Sequence, residues 1–287
     1  MVLKIGITLV LVVGLVFFFW PGHPPNQFIM SLISKTPQSS TQKEAKLENH
    51  QLPALLTVEF KNGVDKSDEE EMKKGFKIMD FTLNKLFGHS ISRKSAIRVK
   101  ASGADSKFLD ENDTITFVYQ TLSQDWLIPK KIGEQYRMDM RSRAAAHEYV
   151  HLYQINEGCA NLGREGEKAK WLLEGSAEWL SYQAMEESSN LPFSFDARKM
   201  IMMQFQMGGG NVKLLNSYEE ETTTDVPLYG YFALAVDYLV ENSSVKALDN
   251  YCANIGKGED LPTAFQKAFG ISLKNFYSDF EDYRKSL

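Results

Sequence analysis

The hydrophobic period of this chain changes near residue 136, and that change limits the folds open to it. Before it, ALLTVEF (54–60), AIRVKA (96–101) and TITFVY (114–119) are short, rich in β-branched and aromatic residues, and bounded by turn residues, as strands are. Between the first two, Met72, Phe76, Met79, Leu83 and Leu86 recur on one helical face, and Ser67 with Glu70 reads as a capping box at the helix start. The acidic run Asp68 to Glu71 then complements the positive end of the helix dipole rather than forming a metal site. After residue 136 the apolar spacing is helical almost throughout, with helices expected near 137–157, 170–187, 196–207, 229–242, 245–254, 261–269 and 273–285. Gly158, Gly256 and Gly270 fall just past helix ends, where a left-handed cap is wanted, and Ser272 stands as an N-cap. The expected class is α+β, a small amino-terminal sheet followed by a mostly helical part.

Patterned sequence runs from residue 52 to residue 287 without an internal repeat, and 43% hydrophobic content gives it material for a packed core. Ahead of it, Ser34 to His50 holds Ala45 and Leu47 as its apolar residues, so 23–51 is expected to be a polar linker. Ile5 to Trp20 is sixteen residues without a charge. As a helix it would span roughly 24 Å, somewhat short of the ~30 Å hydrocarbon core, so 1–22 reads as a membrane-directing segment. Bulky FFFW running into PGHPP lacks the small residues of a cleavage site, which favours a retained single-pass anchor over secretion after signal cleavage. Lys4 and the amino terminus argue for an amino terminus inside and an extracytoplasmic remainder after Pro21.

Net charge of −5 would repel phosphate backbones, so nucleic acid is not an expected partner. Cys159 and Cys252 are not spaced as a CxxC pair and form one bridge or none. Neither a G-x-S-x-G elbow nor a G-x-x-x-x-G-K-[ST] loop occurs, and Gly208 to Gly210 reads as a flexible connection. His23, His50 and His89 are scattered singly and are expected to face solvent.

His147-Glu148-Tyr149-Val150-His151 is H-E-x-x-H inside a helical pattern that stops at Asn156-Glu157-Gly158. Positions four apart on a helix face the same way, so both imidazoles can aim at one ion with Glu148 beside them. Catalytic zinc takes three protein ligands and keeps an open position, and two histidines with one carboxylate is an established set. Glu157, Glu165, Glu167, Glu174 and Glu178 are the acidic candidates nearby, of which the first three belong to a helix end or a loop. Glu174 and Glu178 are four apart in the helical segment from Trp171 to Trp179, whose Gly175 and Ala177 would let another backbone come close. A helical glycine costs about 1 kcal/mol against alanine, so a compensating contact is expected there. The bland alternatives are solvated surface histidines and a helical structural domain.

Together these two segments resemble the gluzincin zinc peptidases, in which HExxH supplies two ligands and a base and the glutamate of a downstream W-L-x-E-G-x-A segment supplies the third ligand. The resemblance implies His147, His151 and Glu174 as ligands of Zn2+, Glu148 as the general base, and Glu178 as a carboxylate that orients a ligand histidine. It also implies a zincin-like arrangement of the helical part. Over residues 115 to 287 it takes in LYGYFALAVDYLVEN and LPTAFQKAFGISLKNFYSDFEDY, which look like the closing helices of the peptidase MA-like group. Related enzymes stabilise the oxyanion with a tyrosine before a small-residue helix start, and Tyr229 occupies the comparable place, with Tyr231 as second choice. TITFVY stands where gluzincins keep the edge strand that pairs with an extended peptide.

Two departures qualify the likeness. Twenty-two residues separate His151 from Glu174, more than in the gluzincin aminopeptidases, which implies a longer loop from Cys159 to Lys170. The G-x-M-E-N motif that holds a free amine is missing, which favours an endopeptidase acting on peptide or protein substrates. The expectation is therefore a membrane-tethered, extracytoplasmic zinc metallopeptidase, with a zinc-binding but inactive surface module as the alternative.

Overall fold

Residues 50–61, 63–101, 114–119, 140–160, 169–188, 196–207, 212–219 and 226–287 are described by the computed structural model. Strands come first, as β1 (Leu56–Phe60), β2 (Ser95–Ala101) and β3 (Thr114–Tyr119), with α1 (Lys66–Phe87) between β1 and β2. They form a parallel sheet in the order β1-β2-β3, with Thr57 opposite Ala96 and Ala96 opposite Thr114. Parallel neighbours need a crossover, and α1 supplies the first one. Ile97 and Val99 point into the core while Arg98 and Lys100 between and after them are partly exposed, the period of two that a half-buried strand requires.

The start of α1 differs from the capping box expected at Ser67. Asp65 is the N-cap, in an extended conformation, and its carboxylate accepts from the Ser67 amide at 2.8 Å. Ser67 is already inside the helix and donates its own hydroxyl to Asp65 at 2.6 Å. Met72, Phe76, Met79 and Leu83 are fully buried, as their spacing predicts, and Gly88 ends the helix at φ 87°.

The helical part comprises α2 (Met140–Glu157), α3 (Lys170–Ser188), α4 (Ala197–Met207), α5 (Val226–Glu241), α6 (Lys246–Gly256), α7 (Leu261–Phe269) and α8 (Leu273–Lys285). Gly158 and Gly270 adopt the positive φ of a left-handed cap, and Ser272 caps α8 by accepting from Asn275. Gly256 does not: it stays within α6, where a Cβ would lie 2.3 Å from the Glu157 carbonyl oxygen, and Gly258 takes the positive φ instead. Close packing rather than turn geometry therefore selects glycine at 256.

The helices lock together where side chains are smallest. A Cβ on Gly75 of α1 would sit 2.1 Å from the Ser142 carbonyl oxygen of α2, and one on Gly175 of α3 would sit 2.5 Å from the Phe232 carbonyl oxygen of α5. The close approach expected at Gly175 is thus present. Cys159, just past α2, is joined by a disulfide to Cys252 of α6 across 93 residues of sequence. The architecture is mostly helical with a small parallel sheet.

The expected membrane-anchored placement is corrected. Among the described residues no helix is long and apolar enough to cross a membrane. Of the two that come nearest in length or character, α1 has 22 residues but is studded with charge, and the strongly apolar α5 has 16. The segment 5–20 that prompted the expectation, the polar stretch up to residue 49, Gly208–Gly210 and His23 lie outside the described residues.

Candidate metal centre

Helix α2 is buried nearly all round, although it carries Arg141, Ser142, Arg143, His147, Glu148 and Gln154. Buried charge persists where it is paired, and apart from Glu148, whose Oε1 has no hydrogen-bond partner, these side chains bond to neighbouring elements and so orient the helix. Arg141 donates to Asp68 of α1 at 2.5 Å, and the Tyr149 hydroxyl bonds Asp80 of the same helix. Asp80 also takes His50 Nε2 at 2.6 Å, so His50 is half-buried and bonded rather than solvent-facing. Asn156 Oδ1 accepts from the amides of Ser92 and Arg93, tying the end of α2 to the approach to β2. With that side anchored, the opposite face turns His147 and His151 toward α3.

Helix α3 is held by its two tryptophans. The Trp171 indole donates to Tyr277 at 3.0 Å, and the Trp179 indole donates to Asp237 of α5 at 2.9 Å. Glu174, between them, presents Oε2 to both histidines. The Nε2 atoms of His147 and His151 are 3.0 Å apart, and Glu174 Oε2 lies 3.5 Å from the first and 3.3 Å from the second. Zinc bonded at about 2.0–2.1 Å in a tetrahedron holds its ligand atoms roughly 3.3–3.4 Å apart, so this triangle has the dimensions of one tetrahedral face. Glu174 Oε2 is buried and makes no hydrogen bond. Three electron-pair donors converging on one point, one of them an orphaned buried oxygen, fit a divalent cation of borderline softness.

The outer nitrogens are held too. His147 Nδ1 faces Glu178 Oε2 at 3.0 Å, and His151 Nδ1 faces Gln154 Oε1 at 2.8 Å. An Nδ1–H donated to each oxygen leaves each Nε2 lone pair aimed at the shared point. Gln154 is fixed in turn, because its amide donates to the Leu173 carbonyl and to the Ser176 hydroxyl, both at 2.9 Å. Glu178 is fixed by Arg143, which donates to its other oxygen at 2.6 Å.

Electrostatics point the same way. Among the described residues, Glu148, Glu174 and Glu178 share this buried region with the Arg143 guanidinium, an excess of carboxylate that a divalent cation would offset. Burial and the neighbouring carboxylates compete at both imidazoles, and the carboxylates win, raising the pKa of each. Burial pulls the His147 pKa down, but Glu174 and Glu178 outweigh it and push it up to about 10. Burial raises the carboxyl pKa of Glu174, yet His151 and His147 bring it well below the ordinary range. The same competition, with Arg143 as the main opponent of burial, holds Glu178 at about 2. Glu148 behaves differently: burial dominates and raises its pKa, and its Oε1 has no hydrogen-bond partner.

Tyr229 of α5 stands edge-on to His147, ring centres 5.7 Å apart. Burial, with Glu174 and Glu148 adding to it, raises its phenol pKa, so it remains a hydrogen-bond donor at neutral pH. Tyr231 points elsewhere. Its hydroxyl donates to Glu281 of α8 at 2.7 Å and its ring packs against Phe205, Tyr218 and Phe280.

No protein-family model, curated protein or solved structure matches the chain. The six residues named from sequence, His147, Glu148, His151, Glu174, Glu178 and Tyr229, nonetheless meet in one place. Arg143 and Gln154 were not foreseen; the nearest signal was their helical spacing from the histidines, four residues before His147 and three after His151. A second group with ligand-like spacing, His89, Glu157 and Asp249, lies near the disulfide. There His89 is already engaged, its Nε2 3.2 Å from Asp249 and its Nδ1 3.7 Å from Glu157.

Proposed function

We propose that this chain is a zinc-dependent hydrolase of peptide bonds, built on a zincin-like helical core and acting as an endopeptidase of gluzincin type. The observation that carries the proposal is the 3.0, 3.3 and 3.5 Å triangle of His147, His151 and Glu174, with the unpartnered Oε1 of Glu148 in the same buried region. His147, His151 and Glu174 would hold the ion. Zinc bound there supplies Lewis acidity, which makes water more acidic and polarises a substrate carbonyl.

The remaining steps belong to the chain's own residues. Glu148 accepts a proton from the attacking water and delivers it to the nitrogen of the leaving amine. Its burial suits it for this, because a carboxylate that lacks solvation takes a proton more readily than one in water. The Tyr229 hydroxyl donates to the oxygen on which negative charge develops, a contribution that typically amounts to about 3–4 kcal/mol per donor. Glu178 and Gln154 keep both imidazoles in the tautomer that leaves Nε2 available. β3 lies at one end of the strand order and, among the described residues, pairs on one side only, which suits it to receive an extended substrate backbone.

Purified full-length protein equilibrated with zinc is expected to make internal cuts in a mixed peptide library, and a chelator is expected to stop them. Glu148→Gln should retain zinc and lose cleavage. Cleavage by the Glu148→Gln protein at the wild-type rate would refute the mechanism.

A further inference from the structure

Arg143 sits one helical turn before His147, and Glu178 links their side chains. The guanidinium donates to Glu178 Oε1 at 2.6 Å, and Oε2 of the same carboxylate faces His147 Nδ1 at 3.0 Å. Arg143 is itself 3% exposed, lies over the Tyr182 ring with 4.7 Å from its central carbon to the ring centre, and reaches Ser181 Oγ at 3.4 Å. Both oxygens of Glu178 are therefore occupied, one by a fixed cation and one by an imidazole.

From this geometry we infer that Arg143 is the positioning residue of the metal centre: by pinning Glu178 it fixes the orientation of His147. The inference rests on the zinc reading above. An arginine suits this task better than a lysine, because a planar guanidinium stacked on an aromatic ring has a fixed direction, whereas an ammonium is a point charge on a flexible stem.

A double-mutant cycle read on zinc affinity tests it, using the full-length protein and competition with a chromophoric chelator. Arg143→Met and Glu178→Gln should each weaken zinc binding by about 10–100-fold, the usual effect of losing an outer partner of a ligand histidine. Combining them should weaken it no further than Glu178→Gln alone, because Arg143 acts through Glu178. Arg143→Lys should fall between wild type and Arg143→Met. An Arg143→Met protein that binds zinc as wild type does, or a double variant whose loss is the product of the two single losses, overturns the inference. Should Arg143→Met fail to reach the wild-type circular dichroism spectrum, the cycle is run with Arg143→Lys. Affinity equal to wild type for Arg143→Lys in that case overturns the inference, and a several-fold loss absent from the Glu178→Gln background supports it. A wild-type chain that takes up no zinc overturns both this inference and the reading beneath it, while intact wild-type zinc binding with an unaffected Arg143 variant overturns this one alone.

Discussion

Tyr229 is placed by its ring, 5.7 Å from that of His147, and by a phenol that stays protonated because it is buried beside carboxylates. Tyr229→Phe removes the hydroxyl and keeps the ring. Steady-state kinetics should then show kcat lowered by about 10²–10³-fold, with zinc content and KM nearly unchanged, as for loss of one oxyanion donor. An unchanged kcat would remove Tyr229 from the reaction. At this scale the sequence was informative for a simple reason: two histidines four apart and two glutamates four apart each fall on one helix face, so their identity and spacing already place them. Arg143 and Gln154 carried no such mark. A polar residue shows its face only when its helix has a wet side, and α2 has almost none, so buried and solvated polar positions look alike in the sequence.

Elements bring the centre together by packing backbone on backbone. Glu174 reaches His147 and His151 because α3 lies against α5 at Gly175, where an added Cβ would be 2.5 Å from the Phe232 carbonyl oxygen. That contact is to backbone and cannot be relieved by a side-chain rotation. Gly175→Ala should therefore push α3 off α5, lowering stability by about 1–3 kcal/mol in chemical denaturation and weakening zinc binding with it. Wild-type stability in that variant would show that the helix interface is looser than described. Helix boundaries were legible to within a few residues, since apolar spacing continues to the caps. The misread positions lie at junctions. Ser67 and Glu70 satisfy the capping pattern, but the chain enters α1 two residues earlier, at Asp65, and Gly256 resembles a cap only until the Glu157 carbonyl is seen against it. Which residue caps a helix depends on where the preceding loop enters, and which glycine is packed depends on a neighbour distant in sequence.

Over the whole molecule, the pairing left open between Cys159 and Cys252 is made, and it clamps the end of the motif helix to α6 across 93 residues. Replacing both cysteines by alanine should reduce unfolding free energy by about 2–5 kcal/mol. The closing helix contributes a pH-dependent term through Glu281. Burial raises its pKa, but Arg284, Tyr231 and the Leu215 amide hold it below the model-peptide value of 4.5. A carboxyl held below its unfolded value stabilises the fold above that value, and the stabilisation is lost as pH falls through the folded-state pKa. Glu281→Gln should therefore lower the thermal midpoint at neutral pH, and the difference from wild type should shrink below pH 4.5. A gap of constant size across the acid range would show that Glu281 acts through packing alone. The central claim, that α2 and α3 bring two imidazoles and a distant carboxylate onto one cation, is tested most directly by metal content. Full-length protein equilibrated with zinc, freed of unbound ion by gel filtration and analysed by mass spectrometry should hold ~1 zinc per chain, and His147→Ala and Glu174→Ala should hold almost none. Zinc absent from the wild type, or retained in full by both variants, would contradict the account.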